Sequence, residues 1–317
     1  MQDEEQLSPI ENANIIQSGR LSVGDGHEIY WVDWGNTNVK QPIFHLHGGP
    51  GAGFSERDFN KFNPLKHRVI FHDQRGAGRS IPYASIENNT TEDLLADIEA
   101  LRKLLGFERI SLYGRSWGST LALLYAIKHP EIIANMLIGG VFLARKTDAD
   151  FYFRGGVASF FPEVWEEFSH LADSTETAAE FYRDKLLEGS AEEQKSYAEA
   201  WMKYEASIMK LDYVPQNIDR AVAGPNTKSL AVLEAHYLLN NCFIPENYIL
   251  DHATELSEIA KIIIVQGRYD VVCIPHAAYL LHKKLKENSV LHIVAAGHAS
   301  GDPLIREVER AYISMLF

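Results

Sequence analysis

The sequence predicts an α/β protein, a doubly wound and mostly parallel sheet interrupted by a helical insertion. Three observations carry that expectation. Apolar runs of strand length end in glycine, as in "PIFHLHGG" (42–49) and "RVIFHDQRG" (68–76), the pattern of strands buried on both faces. Such runs alternate with helical stretches, which calls for crossover connections and parallel strands. Between residues 144 and 255 the alternation gives way to charged, aromatic-rich helical segments and then resumes. One core is therefore expected from 1–143 and 256–317, with 144–255 as a helical cap.

Taken in order, "GRLSVGDG" and "HEIYWVDWG" are broken by glycine and aspartate and read as an opening hairpin. The two buried strands at 42–49 and 68–76 follow. "TTEDLLADIEALRKLLG" places Leu94, Ile98, Leu101 and Leu105 at helical spacing, with Thr90 or Thr91 as N-cap and Gly106 as the stop. "RISLYG" is a further strand, "WGSTLALLYAIKHP" a helix ended by Pro130, and "IIANMLIGGV" a strand. Within the insertion, "PEVWEEF", "ETAAEFYRDKLLEG" and "SYAEAWMKYEASIMKL" read as helices. "KIIIVQGR", a helix near 275–286, "VLHIVAAGH" and a last helix complete the core.

Hydrophobic residues make up 46% and charged residues 23% of the 317, a globular balance. The acidic start "MQDEEQLSPIENANII" lacks the basic and apolar regions of a signal peptide. No apolar run reaches the roughly 20 residues a membrane span needs. A net charge of -13 disfavours nucleic acid and suits a cationic ligand. Two cysteines, Cys242 and Cys273, fit a reducing cytoplasmic setting.

Gly114-Arg115-Ser116-Trp117-Gly118 lies between a strand and a helix, the context in which G-x-S-x-G marks a nucleophile held on a strained turn. A serine hydroxyl needs a base, and the base needs an orienting carboxylate. Asp270 follows one late strand and His298 the next, in the chain order this arrangement uses. Two N–H donors must receive the oxyanion. Trp117, directly after the serine, supplies one, and Gly49 of "HGGPG" the other. His45 and His47 form an H-x-H pair, yet no H-E-x-x-H or carboxylate cluster accompanies them, so neither a metal nor a cofactor is expected. Asp73 and Arg75 are expected to brace loops.

Together "HLHGGPGAG", "FHDQRGAGRS", "GRSWGS", "VQGRYDVVC" and "AAGH" resemble the prolyl aminopeptidase (proline iminopeptidase) family, serine exopeptidases of the α/β-hydrolase fold. The resemblance runs from about residue 42 to 300 and extends into the insertion through "GVFLAR", "AWMKYE" and "LEAHYLLN". It implies peptide substrates with a free N-terminal proline, whose amine is held by Glu205 and Glu234 and whose ring is gripped by Phe142 and Tyr152. By pattern alone those glutamates read as solvated helix charges. Three positions depart from the family: Arg115 stands in place of glycine, Tyr204 of tryptophan, and Leu238 of an aromatic. The alternative is a capped esterase or amidase acting on another small acyl group.

Overall fold

The computed structural model describes residues 7–170, 172, 177–212 and 214–317. Residues 1–6, where the acidic start was read, and Glu176, the first residue of one expected helix, lie outside them. Eight strands form one sheet: β1 (Ile15–Gly24), β2 (His27–Gly35), β3 (Ile43–Leu46), β4 (Arg68–His72), β5 (Ile110–Ser116), β6 (Ile133–Val141), β7 (Lys261–Gly267) and β8 (Ser289–Val294). Their spatial order is β1-β2-β4-β3-β5-β6-β7-β8. The opening hairpin pairs antiparallel, β2 pairs antiparallel with β4, and every later pair is parallel. The α/β class and the parallel sheet are thus as the alternation implied.

Helices α1 (Glu56–Phe59), α2 (Thr91–Leu104) and α3 (Trp117–Lys128) belong to the first half of the core. α2 begins where its sequence specifies: Thr90 and Asp93 cap each other's backbone N–H groups, worth about 1 kcal/mol. α3 is apolar all round because it is covered by the sheet on one side and by α2 and the chain near 250 on the other.

The insertion supplies α4 (Lys146–Phe153), α5 (Pro162–Ser169), α6 (Ala178–Glu188), α7 (Ala191–Ile208), α8 (Pro215–Val222) and α9 (Thr227–Leu239). These helices share an aromatic core of their own, with Tyr182, Trp201 and Tyr204 fully buried and Phe168 stacked on both tyrosines. The chain returns through α10 (Tyr248–Asp251), α11 (Pro275–Leu285) and α12 (Pro303–Leu316).

Two of the inserted helices are tied to the sheet side. From α9, Ser229 Oγ donates to the Gly51 carbonyl at 2.8 Å, and Tyr237 Oη donates to Asn89 Oδ1 at 2.7 Å. Just beyond α7, the Met209 carbonyl accepts from the backbone N–H groups of His298 and Ala299 at 2.8 and 3.0 Å. Among the described residues no helix is long and apolar enough to cross a membrane.

Candidate active site

Ser116 closes β5 and caps α3 with φ 55° and ψ -129°, a strained conformation for a residue with a side chain. The flanking glycines make the turn possible. A Cβ at Gly114 would lie 2.2 Å from the Gly118 carbonyl oxygen, and one at Gly118 would lie 2.1 Å from that of Leu46. Strand, elbow and helix therefore touch through bare backbone, which lifts Ser116 to the carboxyl edge of the sheet.

The loops after β7 and β8 bring the other two expected residues together. His298 Nδ1 lies 2.8 Å from Asp270 Oδ2, and both side chains are buried. Asp270 is saturated: it also accepts from Gln266 Nε2 and from the N–H groups of Val272 and Cys273, at 2.8 to 3.1 Å. A carboxylate held by four donors has a fixed orientation and in turn fixes the imidazole. Ser116 and His298 line the same cleft, but no hydrogen bond joins them; the Ser116 hydroxyl lies 3.8 Å from Cys273 Sγ. Burial pushes the Cys273 thiol well above its usual range, so it stays a neutral neighbour.

Gly49 borders Ser116 from the other side. Its loop is latched by Gln74, whose Nε2 donates to the His47 carbonyl at 2.9 Å and whose N–H donates to His47 Nε2 at 3.0 Å. Gln74 Oε1 accepts from Trp117 Nε1 at 3.1 Å. The indole of Trp117 thus packs in the core against Tyr237 and ties the elbow, through Gln74, to the loop that carries Gly49. Among the described residues no group of three or more potential ligands could hold a metal. Asp73 and Arg75 brace loops as expected, Asp73 with Phe54 and Arg79, and Arg75 with Asp97.

Across the cleft stand the glutamates of α7 and α9. Glu205 lines the outer cleft with Ser116 and His298, and Glu234 lines an inner recess with Ser116, Phe142, Tyr152 and Leu238. Both carboxylates are more than nine-tenths buried and face each other. Trp201 Nε1 donates to Glu234 Oε2 at 2.6 Å, whereas Glu205 Oε2 and the Tyr152 hydroxyl have no hydrogen-bond partner. Burial, with the nearby Glu205 charge second, pushes Glu234 well above the usual carboxylate range, and burial also raises Glu205. Burial and mutual repulsion therefore favour a protonated carboxyl in the ligand-free pair. Buried carboxylates with a free Glu205 Oε2, beside the unpartnered Tyr152 hydroxyl, have the chemistry to accept a buried cation.

The departures acquire physical roles. Arg115 is buried and ion-paired to Glu309 of α12, and its Nη2 donates to the His298 carbonyl at 3.0 Å. Tyr113 Oη donates to the second Glu309 oxygen at 2.9 Å. A cation at this position replaces the bare backbone of glycine with a brace on the histidine loop. Sequence reasoning could not pair Arg115 with Glu309, which lies 194 residues away on an amphipathic helix. Tyr204 turns out of the recess and donates to the Tyr152 carbonyl at 2.7 Å, while Leu238 does line the recess. His292, within β8, is half-buried and bonds to Tyr312.

The family model of the alpha/beta hydrolase fold matches residues 41–302. The chain is 38% identical over 290 residues to a proline iminopeptidase of Arabidopsis thaliana, covering 90% of this chain and 76% of that protein. It is 38% identical over 292 residues to a proline iminopeptidase of Neisseria meningitidis serogroup A, covering 91% of this chain and 92% of that protein. Among solved structures it resembles an esterase from Exiguobacterium antarcticum (TM-score 0.63, 19% identity, 96% and 98% of the two chains). It resembles the proline iminopeptidase of Mycobacterium smegmatis comparably (TM-score 0.62, 17% identity, 94% and 98%). At such identities those structures speak to the fold alone. With likeness to proline iminopeptidases running over nine-tenths of its length, the chain belongs to the proline iminopeptidase family of alpha/beta hydrolase-fold proteins.

Proposed function

We propose that this enzyme is a serine exopeptidase that releases proline from the free N-terminus of peptides. The observation that carries this reading is the buried Glu205–Glu234 pair, with its unpartnered Oε2, in the cavities that Ser116 also lines. A prolyl N-terminus is a secondary ammonium, and the pair offers it acceptors and negative charge in a dry setting. Phe142 and Tyr152 would flank the pyrrolidine ring. With the amine anchored, the first carbonyl is the one presented to the serine, and internal peptide segments are excluded because they carry no charge to compensate the pair.

In this reading Ser116 Oγ turns from Cys273 toward His298, gives up its proton to Nε2 and attacks the prolyl carbonyl. The N–H groups of Gly49 and Trp117 receive the oxyanion. His298, held by Asp270, then donates the proton to the departing amine, leaving a prolyl ester on Ser116. Water, deprotonated by the same imidazole, hydrolyses the ester and frees proline. No step draws on a metal or cofactor. Residues 1–143 and 256–317 act as the catalytic core and 144–255 as the cap. A cytoplasmic setting is part of the same proposal.

A panel of proline arylamide, N-acetyl-proline arylamide and a short-chain ester tests the reading. Proline arylamide is expected to be turned over best and Ser116→Ala to remove turnover. Equal rates on the acetylated compound would favour the capped esterase or amidase and leave the triad standing.

A further inference from the structure

Where the cap meets the core, a groove of about 580 Å³ opens beyond the outer cleft. One wall is the start of α1 with Ser55 and Arg57; the other is the end of α7, the segment after it with Lys210, and one side of α8 with Arg220. Met209 lines both the groove and the cleft that holds Ser116, and Ala299, next to His298, lines the groove as well. The groove therefore begins at the residue that hands a proton to the leaving amine. Peptide beyond the first residue must depart on that side, because the amine end is closed off by Glu205 and Glu234.

The groove's charge is opposite to that of the molecule. The chain carries -13 overall, yet Arg57, Lys210 and Arg220 face this space against a single lining carboxylate, Asp212. None of the three cations has a side-chain hydrogen bond or ion pair among the described residues. Of the other acids on α1 and α8, Asp58 is occupied by Lys61, and Glu56 and Asp219 are exposed and do not line the groove. Unpaired cations gathered in an acidic protein, at the exit of a buried site, suit an anionic ligand end.

We propose that this groove binds the C-terminal carboxylate of short peptides, so that the enzyme favours small peptides with a free C-terminus over long or amidated chains. The inference rests on the exopeptidase reading above. A short peptide then spans the site as a zwitterion, its ammonium on the glutamate pair and its carboxylate on Arg57, Lys210 and Arg220. Without those cations the field of the acidic protein would oppose its entry.

The test compares kcat/KM for Pro-Gly-Gly and for its C-terminal amide. The native enzyme is expected to favour the free acid by about tenfold, a span set by a few partly exposed ion pairs, and to lose most of that preference in high salt. In Arg57→Gln/Lys210→Gln/Arg220→Gln the ratio is expected to fall toward one. The ratio is internal to each enzyme preparation, so a general loss of activity does not mimic it. Should the triple variant fail to fold, the single Arg57→Gln and Arg220→Gln changes on exposed positions must each lower the ratio. Equal turnover of acid and amide by the native enzyme, or a ratio that survives the substitutions, overturns the groove assignment. Failure of native enzyme to cleave any prolyl substrate would instead overturn the exopeptidase reading.

Discussion

Two buried charge clusters flank Ser116, and they are built on opposite logic. Beneath the elbow, Arg115 meets Glu309, which also accepts from Tyr113, so every charge has a partner. Above it, Glu205 and Glu234 confront each other with only the Trp201 indole for relief, and one oxygen stays orphaned. The first arrangement is closed; the second is open, and in our proposal it takes the substrate's ammonium. The difference teaches that burial of a charge says little about its role until its partners are counted.

The sharpest way to break the comparison is to neutralise the open cluster. Glu205→Gln/Glu234→Gln is expected to lower kcat/KM for proline arylamide on the order of a thousandfold, two lost charge-assisted contacts at about 2 kcal/mol each. The same variant should melt at higher temperature than the native protein, because two amides relieve a like-charge contact. The sign follows from the raised titration: stability from these groups is full below the unfolded carboxylate range and is lost as pH rises through the raised folded values. The thermal gain should therefore grow from acid toward neutral and alkaline pH, and a calorimetric series that showed a loss would contradict the account.

Breaking the closed cluster has the reverse signature. Glu309→Ala strands the Arg115 guanidinium in the core and is expected to cost about 3 kcal/mol of unfolding free energy in denaturant titration. Adding Arg115→Gly should recover part of that loss while leaving the histidine loop less firmly held, seen as a lower kcat with little change in KM. Recovery of neither quantity would show that the brace is idle.

A smaller effect distinguishes the clusters by pH. As pH falls through the raised titration of the glutamate pair, further protonation weakens its hold on the prolyl ammonium, so KM should rise by up to about tenfold per pH unit. In the double glutamine variant this KM limb should vanish. Least of all, Tyr152→Phe removes an orphaned hydroxyl, and KM should rise a few-fold if that oxygen accepts from the substrate amine, about 1 kcal/mol. An unchanged KM would assign Tyr152 to ring packing alone.

Much of this was legible in the chain. Continuous apolar runs and period-3.6 spacing marked the strands and helices of the core, and the G-x-S-x-G stretch announced a turn that only bare backbone at Gly114 and Gly118 permits. Asp270 and His298 were found because each follows a recognisable buried strand. Glu205 and Glu234 were invisible as physics: on helices α7 and α9 they look like surface charges, and only resemblance singled them out. The role of Arg115 was hidden for a related reason. Its partner Glu309 sits on a terminal helix whose register against the sheet no local pattern encodes. Long-range polar pairings leave no periodic trace, whereas apolar faces do.

The carbonyl of Met209 has one more implication. It accepts the amides of His298 and Ala299 from the end of the very helix that bears Glu205. Were that helix to swing outward, those two bonds would part, leaving the Asp270 contact and the Arg115 bond to hold the histidine loop. Movement of the lid and slackening of the catalytic loop are thereby a single event.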